Sequence, residues 1–295
     1  MPILIAFDGS SHGEASLFLG AQIAQRGSEP LTILTVLKNG SVQASDSAKT
    51  VLAHACEIVR THCPEVRTRV RTGHPAAEIV REAEEGDYDL VIVGDGPNRN
   101  LVARFLHGST AVRVVEHAPC PVIVAKGSTG RIHRILLCDS GSEDPAVGLP
   151  SEPRGSDGTV GLGPSVLSRF TALPIDLIDD NGTIVVLHVM SQISGGPGVT
   201  GRQLRFGTEQ LMDERAPEGE LLGRDIGALE RLGLRARAKV RHGLVVEEIL
   251  EEVHNEDYDL VAIGAYRGQG WRRILLDDLA HRIVVELDRP VLVLR

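Results

Sequence analysis

The feature that most constrains this chain is an internal repeat. Three segments of the first half return in the second half at nearly constant offsets: residues 71–79 as 241–249, 87–91 as 257–261, and 121–124 as 290–293. Because such a repeat is one folding unit used twice, the sequence predicts a duplicated domain. We place the first copy at residues 1–127 and the second at 131–295, joined near Lys126–Gly130.

Each copy alternates strand patterns with helical patterns. In the first copy, strands are predicted near residues 3–7, 31–37, 66–71, 90–93 and 121–125, and helices near 12–26, 51–62, 75–83 and 109–117. Because several strands are wholly apolar, the pattern predicts an α/β fold whose parallel sheet is covered by helices on both faces. The second copy adds residues 141–164 and 191–217, which we interpret as surface loops, with lids as the alternative.

Composition excludes several classes of function. The formal net charge of −9 argues against sequence-independent nucleic-acid binding, which requires many cations. No apolar run is long enough to span a bilayer, and Ile3–Phe7 fits a core strand better than a secretion signal. We therefore expect a cytoplasmic protein. The four cysteines lack zinc-site spacing, so no metal site is predicted, and Cys56 and Cys138 are expected to be small buried hydrophobes.

The stretch from Gly94 to Ser109 is the strongest candidate for binding chemistry. It leaves an apolar strand, passes through a glycine-containing turn, and reaches Gly108-Ser109 where a helix pattern begins. Glycine lets the backbone approach an anion, Ser109 can donate a hydroxyl, and the free N–H groups of a helix start carry partial positive charge. These residues also suit an ordinary strand-to-helix connection.

Other catalytic and phosphate-binding motifs are absent from the sequence. It contains no GxxxxGK[ST] loop, and no GxGxxG follows the first strand. It also lacks a GxSxG elbow, an HExxH pair and the protein-kinase set. The sequence therefore predicts a binding protein without catalytic residues.

Further markers accompany the glycine loop: Asp8-Gly9-Ser10, Gly73-His74-Pro75, Asp89–Gly94 and His117–Val124. Together with Gly108-Ser109, they make each copy resemble a universal stress protein domain, and the chain resembles a tandem member of that family. The resemblance implies two tandem open α/β sandwich domains, each with a five-stranded, mostly parallel sheet and helices on both faces. It also implies ATP, with or without Mg²⁺, at the carboxyl ends of the strands.

By this resemblance, the ligand site of the first copy comprises Asp8, Gly9, Ser10, Val36, Gly94, Gly96, Gly108, Ser109 and Thr110. Asp8 is expected to accept hydrogen bonds from the ribose or the adenine amine, and the backbone of Val36 to face the adenine edge. The family's phosphate loop reads G-x2-G-x9-G-S/T. Gly94 and Gly108-Ser109 match its ends, whereas Pro97 stands where the middle glycine belongs and the nearest glycine is Gly96. If this altered loop has lost its function, no ligand is expected.

The second copy departs further from that pattern. Asp277-Asp278 stand where the first copy has Gly108-Ser109. A carboxylate at a helix start already satisfies the N–H groups and the dipole that would hold a phosphate. It would also repel phosphate, at about 1 kcal/mol per charge pair in water and about 4 kcal/mol in a partly screened pocket. The second copy is therefore not expected to bind ATP in the family manner.

The leading hypothesis is a cytoplasmic stress-response protein that binds ATP in its first copy and acts as a sensor or regulator. The alternative is a nucleotide-independent scaffold or interaction module, and slow ATP hydrolysis stays open although no general base is evident. In the family, the strands corresponding to Val122–Val124 and Val291–Val293 commonly pair domains, so we expect the two copies to pair here. A homodimer of the whole chain and a protein partner are left open.

Overall fold

A computed structural model of the chain describes residues 2–27, 30–38, 41–96, 110–127, 130–139, 166–173, 177–190, 208, 217–264 and 271–295. In the first copy its elements are β1 (Ile3–Ala6), α1 (Glu14–Gly27), β2 (Leu31–Leu37), α2 (Val42–Val59), β3 (Val66–Thr72), α3 (Pro75–Glu85), β4 (Leu90–Gly94), α4 (Thr110–His117) and β5 (Val122–Ala125). In the second copy they are β6 (Arg134–Asp139), α5 (Val166–Ala172), β7 (Thr183–Met190), α6 (Pro217–Arg231), β8 (Arg235–His242), α7 (Val245–Asn255), β9 (Leu260–Gly264), α8 (Trp271–Glu286) and β10 (Val291–Leu294).

The ten strands form one continuous sheet in the order β3-β2-β1-β4-β5-β10-β9-β6-β7-β8. Within each copy, all neighbouring strands are parallel. The copies meet through β5 and β10, which are antiparallel with Ile123 opposite Leu292. The predicted five-stranded sheets and the predicted pairing of residues 122–124 with 291–293 are both confirmed.

Helices cover both faces of this sheet, as the apolar strands predicted. One buried cluster joins the sheet to α1, α2, α5 and α6, and contains Leu17, Leu52, Phe170 and Leu229. The cluster on the opposite face joins the sheet to α3, α4, α7 and α8. Because alternate strand residues point to opposite faces, each of the eight inner strands contributes to both clusters.

Two helices differ from the sequence-based expectation. The helix α2 begins at Val42 rather than near residue 51, and the hydroxyl oxygen of Ser41 caps it by accepting a hydrogen bond from the Ala44 N–H at 3.2 Å. In the second copy, the seven-residue α5 takes the place of the 14-residue α1. The predicted loop at 141–164 lies outside the described residues, as does the segment at 191–217 apart from Thr208 and Pro217. Among the helices described, none combines the length and the apolar character needed to cross a bilayer.

Candidate functional site

The candidate site of the first copy lies where the strand order of its sheet reverses. The chain passes from β1 through α1 to its neighbour β2, and later returns through α3 to β4 on the other side of β1. Ligands of open α/β sheets bind outside the carboxyl ends of the strands at such a reversal. Asp8 lies two residues past the end of β1, and Gly94 is the last residue of β4.

A tight turn after β1 orients the carboxylate of Asp8. Its Oδ1 accepts hydrogen bonds from the backbone N–H of Ser10 at 2.9 Å and from the Ser10 hydroxyl at 2.6 Å. Gly9 makes the turn possible with a φ of +83°. Both bonds go to Oδ1, so among the described residues Oδ2 receives no donor, and the side chain is exposed. This carboxylate is therefore held in place while one oxygen faces outward.

The end of β4 and the start of α1 are in backbone contact. A Cβ atom at Gly94 would lie 3.1 Å from the Gly13 Cα and 3.4 Å from the His12 carbonyl oxygen. A Cβ atom at Gly13 would in turn lie 3.1 Å from Oδ1 of Asp8. Gly13 is thus a residue of the site that sequence analysis missed, and its signal was a glycine between Asp8 and the first helix. A side chain at Gly94 would push the end of β4 away from this backbone, and one at Gly13 would press against Phe7 and Asp8.

The altered glycine of the phosphate loop has a defined conformation. Gly96 has a φ of +78°, which L side chains rarely adopt, and a Cβ there would meet no atom of the described residues within 4 Å. The preceding N–H, that of Asp95, donates to the Ala125 carbonyl oxygen at 3.2 Å and so continues the pairing of β4 with β5. The left-handed backbone conformation therefore falls at Gly96, one residue before the position that the family pattern assigns to glycine.

The remaining predicted residues are placed as follows. Val36 lies in β2, half-buried, and the Leu34 carbonyl accepts from the Phe7 N–H at 2.9 Å. Because backbone hydrogen bonds alternate sides along a strand, the backbone groups of Val36 face the same side, past the end of β1. Thr110 is the first residue of α4 and is exposed. Gly108 and Ser109 lie outside the described residues.

The corresponding place in the second copy is filled by an apolar side chain. A Cβ atom at Gly264, the counterpart of Gly94, would lie 2.7 Å from Cγ2 of Val166. Val166 opens α5 and is only 7% exposed. A side chain thus lies against the end of β9 where the first copy has the backbone of Gly13. The helix start predicted at Asp277-Asp278 is wrong, because α8 begins at Trp271 and these residues lie within it. The side chains of Asp139, Asp277 and Asp278 lie outside the described part of the chain.

A second set of polar residues is duplicated but serves packing. Arg71 lies near the end of β3 and forms ion pairs with three glutamates of α3. The nitrogen–oxygen distances are 2.8 Å to Glu78, 2.7 Å to Glu82 and 2.9 Å to Glu85. Arg241 repeats this arrangement at the end of β8, with distances of 2.6 Å to Glu248, 2.7 Å to Glu251 and 3.2 Å to Glu252. The hydrogen bonds that Arg71 donates to Glu85, Glu78 and Glu82 raise its pKa. The repeated arginine and glutamates of the sequence therefore tie each crossover helix to an outer strand.

Glu252 is the most buried member of this set. It is fully buried, and its Oε1 accepts hydrogen bonds from Lys239 and from the Tyr258 hydroxyl, both at 2.7 Å. Burial opposes ionisation of this carboxyl, but the hydrogen bonds from Lys239, Tyr258 and Arg241 outweigh it and hold its pKa below the ordinary 4.5. Burial and the same carboxylate raise the pKa of Tyr258 well above its usual range. This is a structural ion pair, and its groups do not face the crevice at β1 and β4.

The cysteines do not form a reactive centre. Cys63, Cys120 and Cys138 are buried, as predicted for Cys138, whereas Cys56 is only half-buried. Burial raises the pKa of the Cys56 and Cys63 thiols, which disfavours the thiolate. Within the described residues, no group of three or more histidine, cysteine, aspartate or glutamate side chains could hold a metal ion.

Comparison with known proteins agrees with this architecture. The model of the universal stress protein family matches residues 1–126 and 175–295. A putative universal stress protein of Staphylococcus haemolyticus is 30% identical over 138 residues, which cover 42% of this chain and 83% of that protein.

A solved structure that covers the whole chain gives the same fold. The crystal structure of a universal stress protein from Archaeoglobus fulgidus covers 100% of this chain and 96% of its own, with a TM-score of 0.62 and 17% identity. Another from that organism, solved in complex with dAMP, is 28% identical and covers 43% of this chain and 98% of its own, with a TM-score of 0.37. The family model extends over both copies, so this chain belongs to the universal stress protein family.

Proposed function

We propose that the first copy binds an adenine nucleotide, ATP, at the crevice between β1 and β4. The observation that carries this proposal is the pairing of an oriented, outward-facing Asp8 carboxylate with a side-chain-free wall made by Gly94 and Gly13. A carboxylate oxygen accepts hydrogen bonds from ribose hydroxyls or an adenine amine. A wall of backbone lets a phosphate chain come close.

Each part of a nucleotide has a matching group in this crevice. Oδ2 of Asp8 accepts no hydrogen bond from the described residues and can accept one from the ribose. The backbone groups of Val36, beyond the end of β1, can pair with the adenine edge. The turn at Gly96 and the start of α4 at Thr110 suit the phosphates, because helix N–H groups carry partial positive charge. ATP would supply the negative charge that these N–H groups attract, and the chain's own residues hold and orient it. We propose no catalytic step.

The second copy, by this proposal, does not bind ATP in this way. Val166 lies where the first copy leaves a backbone wall, and Asp277-Asp278, which correspond in sequence to Gly108-Ser109, lie within α8. The chain would then be a cytoplasmic sensor or regulator with one ligand site and one structural copy. Nucleotide binding would favour one conformation of the loop after Gly94 and so report the nucleotide level to a partner.

Isothermal titration of ATP into the intact protein tests the proposal. Asp8→Asn keeps an acceptor for Ser10 but removes the charge, and we expect it to weaken ATP binding by about 10- to 100-fold, the range for a hydrogen bond to a charged group. Asp139→Asn makes the same change at the end of β6 in the second copy and should leave the affinity unchanged. Gly108→Asp gives the first copy the carboxylate of the second and should abolish binding.

The outcomes separate the two hypotheses. Binding that is lost in Gly108→Asp and weakened in Asp8→Asn alone supports the first-copy site. No ATP binding by the wild-type protein would overturn the proposal and leave the nucleotide-independent scaffold. Binding weakened equally by Asp139→Asn would place a site in the second copy, against the proposal. Phosphate release above background would revive the enzymatic alternative.

A further inference from the structure

A buried lysine lies between the glycine turn of the first copy and the second copy. Lys126 follows β5 directly and is only 5% exposed. Its ammonium group donates hydrogen bonds to the carbonyl oxygens of Val284 and, at 2.7 Å, Leu287, at the carboxyl end of α8. The same Nζ lies 3.7 Å from Oδ2 of Asp95, the residue between Gly94 and Gly96.

Each of these contacts has a physical reason. The last carbonyl groups of a helix lack partners within the helix and carry partial negative charge, so a cation at that end is favourable. A buried ammonium group also requires a nearby counter-charge, which Asp95 supplies. Lys126 therefore joins the end of a helix in one copy to the turn that follows β4 in the other.

The second copy repeats only half of this arrangement. Arg295 lies 169 residues after Lys126, directly after β10, and its guanidinium donates to the carbonyl oxygen of Val115 in the last turn of α4. Val115 likewise lies 169 residues before Val284, so the two caps are equivalent across the β5–β10 pair. The residue after Gly264, however, is Ala265, which has no carboxylate to match Asp95. Within the described residues, the connection between a cap and a glycine turn through a carboxylate is thus seen in the first copy.

We propose, resting on the nucleotide site proposed above, that Lys126 is a positioning residue for ATP. It does not touch the nucleotide. It holds the Asp95 carboxylate, and Asp95 lies between the glycine whose backbone contacts α1 and the glycine that turns the loop. With Lys126 in place, the N–H groups of this turn are fixed before the phosphates arrive, so less ordering is required on binding.

The arrangement also couples the ligand site to the contact between the copies. Lys126 contacts both the end of α8 and Asp95, so a change at either contact alters the other. A coupling free energy of this kind is reciprocal between the two sites. The two copies are thus connected by more than the shared sheet.

A double-mutant cycle on ATP affinity tests this role. Lys126→Met removes the charge but keeps much of the buried stem, and Asp95→Asn removes the partner. We expect Lys126→Met to weaken ATP binding about 2- to 30-fold when Asp95 is present, the range for positions that act through an intermediate residue. In the Asp95→Asn background, the same substitution should have almost no effect, because its route to the loop is already broken.

Arg295→Met is the matched control. It removes the equivalent helix cap between the copies and should lower the melting temperature to a similar degree without changing ATP affinity. Lys126→Arg keeps donors and charge, as Arg295 shows for the other cap, and should restore part of the affinity lost in Lys126→Met. Circular dichroism and melting temperature confirm that each variant is folded.

The outcomes distinguish this inference from the proposed function. If the wild type binds no ATP, both fall together. If the wild type binds ATP and Lys126→Met binds equally well, only the positioning role is overturned. The positioning role is also overturned if Lys126→Met weakens ATP binding equally in the wild-type and Asp95→Asn backgrounds. It is overturned as well if Arg295→Met weakens ATP binding as much as Lys126→Met does. Either result indicates a general loss of structure.

Discussion

Replacing Gly94 with alanine probes the contact between the end of β4 and the start of α1. The new Cβ would lie 3.1 Å from the Cα of Gly13 and 3.4 Å from the carbonyl oxygen of His12. Both are backbone atoms, so neither can move by a side-chain rotation. Gly94 is not among the glycines with positive φ, so the alanine backbone itself is unstrained and only the contact is at issue.

The magnitude follows from two opposing effects. Overpacking against fixed atoms costs about 1–3 kcal/mol, and alanine lowers the entropy of the unfolded chain, which returns about 0.4–1 kcal/mol. The net loss in the free energy of unfolding should be about 1–2 kcal/mol. This is equivalent to a fall of about 2–8 °C in melting temperature for a chain that unfolds as one large cooperative unit. ATP binding should weaken too, because the walls of the crevice move apart.

Differential scanning calorimetry with a matched substitution checks this reasoning. Gly130→Ala makes the same chemical change at a glycine whose φ is not positive. A Cβ at Gly130 would meet no atom of the described residues within 4 Å. It should leave the melting temperature unchanged or raise it slightly. If Gly94→Ala melts at the same temperature as Gly130→Ala, the close approach of the two backbones is not what requires glycine at this position.

Three further predictions concern the rest of the fold. Glu252→Ala leaves Lys239 without its buried partner and should cost about 3–5 kcal/mol in urea unfolding, whereas a loss under about 1 kcal/mol would contradict the structural role of the ion pair. The pKa of Glu252 is lower in the folded state than in the unfolded state. Its carboxylate therefore stabilises the fold fully at pH values above the unfolded-state pKa, and this stabilisation is lost as pH falls through the folded-state pKa. Urea midpoints should drop below about pH 4, and they should drop less steeply in Glu252→Ala. Ile123→Lys places a charge at a fully buried position of the β5–β10 pair and should lower the free energy of unfolding by more than about 3 kcal/mol. Val70→Lys, at a residue of the edge strand β3 that is 47% exposed, should be nearly neutral in the same assay.

The repeat and the apolar strand patterns were sufficient to predict most of the fold. Strands such as Leu90–Gly94 are apolar throughout because both of their faces are covered, and this pattern leaves few alternatives to a parallel sheet. The start of α2 was not predictable in this way. Its residues 42–47 are mostly exposed, so no apolar periodicity marks them, and only the Ser41 cap signals the beginning.

The candidate site was predictable from residues at strand ends but not from residues that act through backbone contact. Gly94 was singled out because it ends an apolar strand, and Asp8 was assigned through the family resemblance. Gly13 has no side chain to suggest a role, and its importance lies in a distance to Gly94 that only the folded chain has. Lys126 looked like part of a linker, because its helix partners lie 158 and 161 residues away in the sequence.

The order of the strands affects how one molecule of this protein can associate with another. Pairing β5 with β10 consumes, within one molecule, the edge through which either copy could extend its sheet into another. The strands left at the two ends are β3 and β8, and they carry basic side chains at alternate positions: Arg67, Arg69 and Arg71 on one, and Arg235, Arg237, Lys239 and Arg241 on the other. Charged side chains on an edge strand disfavour strand-to-strand addition between molecules. Duplication therefore leaves a strand of this kind at each end of the described sheet.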